Sequence, residues 1–85
     1  MVINPYHPGV FLQELLDEQN ISPHELAKST GIHEAKIIDI TRQLQGIDKE
    51  SAMGLATYFG NSAEYWIDLQ ESFDQEIKRK VIRYK

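Results

Sequence analysis

Apolar residues recur along this chain with helical spacing, and each apolar run is bounded by residues that start or stop helices. In "HPGVFLQELLDEQN", Phe11 or Leu12, Leu15 and Leu16 form one stripe. Pro8 suits the first turn, His7 stands ready to cap it, and Asn20 is a stop signal. "SPHELAKSTG" follows, with Ser22 and Glu25 in capping-box spacing and Pro23 at the first helical position. Leu26 and Ala27 face inward, and Gly31 ends the element where positive φ is needed. A third helix is expected from about His33 to Gln43, and a fourth, in "DKESAMGLATYFG", from Asp48 to Gly60. The last starts at Ser62, and its Leu69, Phe73, Ile77 and Val81 repeat every fourth position nearly to the end. Only "KVIRYK" alternates weakly with the period of a strand. The pattern predicts an all-α, five-helix bundle.

Composition narrows the class. The chain has 85 residues, 41% hydrophobic and 26% charged, which suits one globular domain with a thin core. It has no cysteine, so disulfides and thiolate metal sites are excluded. No apolar run reaches membrane-spanning length, and "MVINPYHPGV" lacks the pattern of a signal peptide. A cytoplasmic protein that does not enter the membrane is expected. All thirteen acidic residues lie within 1–77, opposed there by Lys28, Lys36, Arg42 and Lys49. The last eight residues, "KRKVIRYK", hold the other five cations and no acid. We therefore divide the chain into a domain of residues 1–77 and a basic extension of residues 78–85 that continues the last helix. Such a tail can contact an anionic partner, dock on the acidic body, or simply solubilise the chain end.

Three spacings carry functional meaning. Ala27 lies four residues before Gly31, Gly31 lies six before Ile37, and Leu26, Ile32 and Ile40 are apolar. A helix-turn-helix needs a small residue where its helices cross, a glycine in the turn, and a branched residue where the second helix returns onto the first. Leu26, Ala27, Gly31, Ile32, Ile37 and Ile40 meet those needs, although a plain helical bundle remains compatible with them.

"NPYHPGVFLQE", "ELAKSTGI" and "GNSAEYWIDLQ" add more. Together, over roughly residues 4–75, they resemble the HigA-type antitoxins of the XRE-like repressor superfamily. The resemblance implies a lambda-repressor-like fold with a central helix-turn-helix. It also implies a homodimer that binds double-stranded operator DNA and neutralises an mRNA-cleaving toxin. The second helix departs from the family. Members usually carry Ser-Arg-x-Thr-hydrophobic-Ser-Arg and then Asn-Gly, whereas this chain has His33-Glu34-Ala35-Lys36-Ile37-Ile38-Asp39 and then Arg42-Gln43. The family's base contacts therefore do not transfer residue by residue.

Chemistry must supply the rest. Lys28, His33, Lys36 and Arg42 are the candidate DNA contacts, as donors to phosphate or guanine. Glu34 and Asp39 can accept from cytosine N4. Equally, Glu34 can complement a helix N-terminus, and Asp39 can pair with Lys36 or Arg42. Ile38 projects from the core side, to meet a thymine methyl, to join an interface, or to stand as one exposed isoleucine. Each neutralised phosphate contributes about 0.9 to the slope of log affinity on log salt. Four body cations on an acidic domain thus predict weak, salt-sensitive binding.

Two function classes stand: a DNA-binding regulator of antitoxin type, and a protein-interaction module on the same scaffold that binds a small basic toxin. The Leu69–Phe73–Ile77–Val81 stripe is a candidate dimer surface. Enzymatic chemistry finds no support. His7, His24 and His33 lack metal-ligand spacing, there is no glycine-rich phosphate loop, and neither metal nor cofactor is expected.

Overall fold

A computed structural model describes residues 7–83, with side chains to Lys78. Its five helices are α1 (Pro8–Gln19), α2 (Pro23–Thr30), α3 (Glu34–Thr41), α4 (Lys49–Phe59) and α5 (Ala63–Arg83). No strand occurs among the described residues. The strand-like alternation of "KVIRYK" therefore gives way to helix as far as Arg83, where the four-residue apolar repeat prevails.

Local signals account for the boundaries. The Ser22 Oγ accepts from the Glu25 N–H at 3.1 Å, and the Glu25 carboxylate accepts from the Ser22 N–H at 3.0 Å. Such a cap contributes about 1 kcal/mol. Asp48 Oδ1 accepts from the Ser51 N–H at 2.8 Å, and Ser62 Oγ from the Tyr65 N–H at 3.1 Å. The first four helices all close through a left-handed residue: Asn20, Gly31, Gln43 or Gly60.

The core gathers Leu12 and Leu16 of α1, Leu26 of α2, Ile37 and Ile40 of α3, and Ala52, Leu55 and Ala56 of α4. Trp66 of α5 is fully buried at its base, between Phe11 and Phe59 at ring separations of 5.2 and 6.2 Å. Its indole N–H donates to Asn61 Oδ1 at 2.8 Å, so burial leaves no orphaned donor. α3 packs against α1 and α2, while α5 packs on α4 and α1.

The entry to α1 is built with unusual economy. His7 is buried, and its Nδ1 accepts from the Gly9 N–H at 2.8 Å, while its ring meets the edge of Phe73 at 4.7 Å. Burial lowers the His7 pKa below the ordinary histidine value, against a smaller raising effect from Asp74. Gly9 brings α1 directly onto α3. A Cβ there would lie 1.8 Å from the Ile40 carbonyl oxygen and 2.8 Å from its carbon.

Candidate nucleic-acid interface

The α2–turn–α3 unit has a fully determined back. Leu26, Ile37 and Ile40 are fully buried, Ile32 is nearly so, and Ala27 packs partly buried against them. Burying Ile37 contributes about 1.5–3 kcal/mol. Gly31 takes φ +80°, the left-handed conformation that turns the chain from α2 toward α3.

Both flanks of α3 are pinned as well. Gly9 seats α1 on its last turn, as above. After it, the Gln70 Oε1 of α5 accepts from the Ile47 N–H at 2.8 Å, and Gln70 Nε2 donates to Asp74 at 3.0 Å. Gly46 leaves room for that amide, since a Cβ there would come within 2.6 Å of it. Between them α3 ends in a Schellman turn. The Gln43 N–H donates to the Ile40 carbonyl at 3.0 Å, and the Leu44 N–H to the Asp39 carbonyl at 2.8 Å. The third helix is consequently shorter than its expected span of His33 to Gln43: His33 caps it, Arg42 has left helical geometry, and Gln43 stands at φ +64°.

The outward side is polar and partly self-satisfied. Lys28, His33 and Arg42 are exposed, and His33 makes no side-chain cap bond. Lys36 is half-buried, and its ammonium lies 2.5 Å from Asp48 Oδ2. That ammonium, and next the Ser51 N–H, hold the Asp48 carboxyl at about 2. Asp39 takes neither of the cations expected for it, accepting instead from Gln45 Nε2 at 3.3 Å. Glu34 is more than a helix-start acid, for its Oε1 lies 3.1 Å from His24 Nδ1 in the first turn of α2. Ile38 is half-buried.

Sequence reasoning missed these long-range partners. Lys36–Asp48, His24–Glu34 and Gln70–Ile47 are separated by 12, 10 and 23 positions, beyond any local spacing rule. Among the described residues, no cluster of His, Asp or Glu has the makings of a metal site. None of the described helices is long and apolar enough to cross a membrane.

Known proteins carry the same arrangement. A Pseudomonas aeruginosa antitoxin HigA, solved with the higBA promoter, is 35% identical and superposes with a TM-score of 0.87, covering 91% of this chain and 85% of that one. This chain belongs to the HigA-type antitoxin family. An addiction-module antidote protein of the HigA family from Coxiella burnetii is 32% identical, with a TM-score of 0.85 and coverage of 92% and 86%. Virulence-associated protein I of Dichelobacter nodosus is 36% identical over 69 residues, which are 80% of this chain. The chain spans 64% of the length of that relative and 63% of Virulence-associated protein A′ from the same organism. No family model matches.

Two motifs shared with HigA-type antitoxins now have mechanical meaning. "HPG" supplies the cap and the close approach of α1 to α3, and the last residue of "SAEYWIDLQ", Gln70, holds the loop that follows α3. The stripe on α5 is divided. Leu69 packs against the core, Phe73 meets His7, and Ile77 is 40% exposed; the Val81 side chain lies outside the described residues.

Proposed function

We propose that this chain is a HigA-type antitoxin and transcriptional regulator, which binds the operator of its own operon as a homodimer and neutralises a small, basic, mRNA-cleaving toxin in the cytoplasm. The observation that carries this reading is a helix-turn-helix whose second helix is held on its back and at both ends, leaving its outer residues to meet DNA. The likeness to a HigA solved with its promoter supports it. Lys28, His33 and Arg42 are the donors to phosphate and bases. Lys36 chiefly ties α3 to the start of α4 through Asp48, and it would reach the duplex only by leaving that carboxylate. Dimerisation would use α5 beyond Phe73, where Ile77 is exposed.

Gel shift at low salt with the DNA upstream of the chain's own gene tests the reading. A band is expected at micromolar protein or below, with two chains per duplex by light scattering of the complex. Lys28→Ala/Arg42→Ala should weaken binding and flatten the slope of log affinity on log salt by about 2, close to 0.9 for each lost phosphate contact. No band at micromolar protein would end the DNA reading, and one chain per duplex would end the dimer.

A second reading, toxin binding with DNA reading lost, draws on the acidic outer residues and on apolar side chains elsewhere. Met53 is 57% and Tyr58 37% exposed along a groove between α2 and α4, lined also by Ser29, Thr30, Gly54 and Thr57. An acidic body suits a basic partner electrostatically. Co-purification of the neighbouring gene's product without any gel shift would favour it. A neighbour that is no basic toxin would remove toxin binding from both readings.

A further inference from the structure

We propose that Glu34, oriented by His24, reads a cytosine in the major groove and thereby fixes one base of the operator. The inference rests on the DNA-binding reading above and extends it to specificity. Glu34 is the first residue of α3 and His24 belongs to the first turn of α2, with side chains 47% and 67% exposed. In helix-turn-helix docking, the N-terminal residues of the second helix meet base edges while the first helix crosses the phosphate backbone. Glu34 and His24 occupy those two stations.

Hydrogen-bond accounting then selects the base. An ionised carboxylate can only accept, so the proton between His24 Nδ1 and Glu34 Oε1, 3.1 Å apart, is carried by the imidazole. Oε1 is thereby engaged and Oε2 remains as a single acceptor. In the major groove, guanine and thymine present no donor, and the adenine N6 donor sits beside the N7 acceptor, which would face the carboxylate. Cytosine N4 offers a donor with no such neighbour. His24 also offsets the repulsion that a lone carboxylate would meet near phosphates, and it restricts the Glu34 rotamers, making it a positioning residue. Asp39, the other acid on α3, is half-buried and already accepts from Gln45, so Glu34 is the better presented reader.

Selection of bound duplexes from an operator library with randomised half-sites, using the full chain, tests this. The parent should enrich cytosine at one position per half-site. Glu34→Gln should move the preference there to adenine, because an amide both donates and accepts and so matches N7 and N6. His24→Ala should keep cytosine but reduce its advantage over the other bases about fivefold to tenfold, a plausible loss for one weakened base contact. Loss of a phosphate contact alone would weaken all sequences alike and leave that ratio unchanged. Unchanged base preference in Glu34→Gln overturns the inference while leaving DNA binding intact, and an unchanged ratio in His24→Ala removes the part given to His24. A parent that binds no duplex overturns the functional reading and this one with it.

Discussion

The two sides of α3 obey different rules. Its back is fixed by burial: Ile37 and Ile40 are sealed, Gly9 touches the Ile40 carbonyl, and Gln70 holds the loop beyond. Any residue that changes shape there disturbs several helices, so those positions spell out the fold. Its front is fixed by partners of choice. His24 holds Glu34, Asp48 holds Lys36, and Gln45 meets Asp39. Such exposed polar pairs each contribute about 0–1 kcal/mol and can be exchanged at little cost to the scaffold. A rigid mount with exchangeable letters allows one family to recognise different sequences, and it explains why this member departs from its relatives on the front alone.

Breaking the mount should have the largest effect. A methyl at Gly9 would lie 1.8 Å from a backbone oxygen, which no rotamer change can relieve, so α1 and α3 must separate. Overpacking commonly costs about 1–3 kcal/mol and occasionally more; we expect Gly9→Ala to reach at least about 3 kcal/mol. Gly31→Ala is the control. It carries a left-handed φ with nothing within 4 Å, so only conformational strain is added, about 1–2 kcal/mol. Urea unfolding of the two variants measures the difference. Equal losses would mean that the α1–α3 contact yields easily and that the mount is softer than its geometry implies.

A smaller effect should follow from titrating the same contact. The His7 Nδ1 must be unprotonated to accept from Gly9, and burial, opposed by Asp74, places its pKa below the ordinary value of 6.5. The unfolded chain therefore binds the proton first as the pH falls. Stability from His7 is complete above pH 6.5 and is lost progressively below it, toward the lowered folded value. The measurement is the urea midpoint at pH 7.5 and 5.5, for the parent and for His7→Asn. The acid-induced fall should be larger in the parent, and identical falls would assign it to other groups.

The same division decides what was legible in the sequence. Helix starts and stops follow local chemistry, so Ser22, Gly31, Asp48 and Gly60 could be located from their neighbours alone, and the buried stripe from its periodicity. His7 as a cap was legible for the same reason. The candidate contacts were legible only as residue types. Lys36 is a cation on the second helix, but its engagement with Asp48 depends on where the chain returns after α3, which no spacing rule encodes. The apolar stripe of the last helix misled in part. Period alone does not say that Leu69 and Phe73 are occupied within the chain, by the core and by His7.

Gln43 lies on the border between the two sides, and changing it sharpens the boundary between them. It occupies the left-handed position of the Schellman turn at φ +64°, where the family pattern has glycine. A residue with a Cβ costs about 1–2 kcal/mol in that conformation, part of which glycine returns through its greater freedom when unfolded. We expect Gln43→Gly to stabilise the chain by about 0.5–1 kcal/mol, raising the midpoint of thermal unfolding by a few degrees. If stability rises while operator affinity is unchanged, the turn belongs to the mount and its strain is incidental. If stability rises and affinity falls, the Gln43 side chain belongs to the front, and the strained turn is retained because it carries a DNA contact. A loss of stability would show that the exposed Gln43 side chain offsets its own backbone strain, and the border between mount and front would have to be drawn at Arg42 instead.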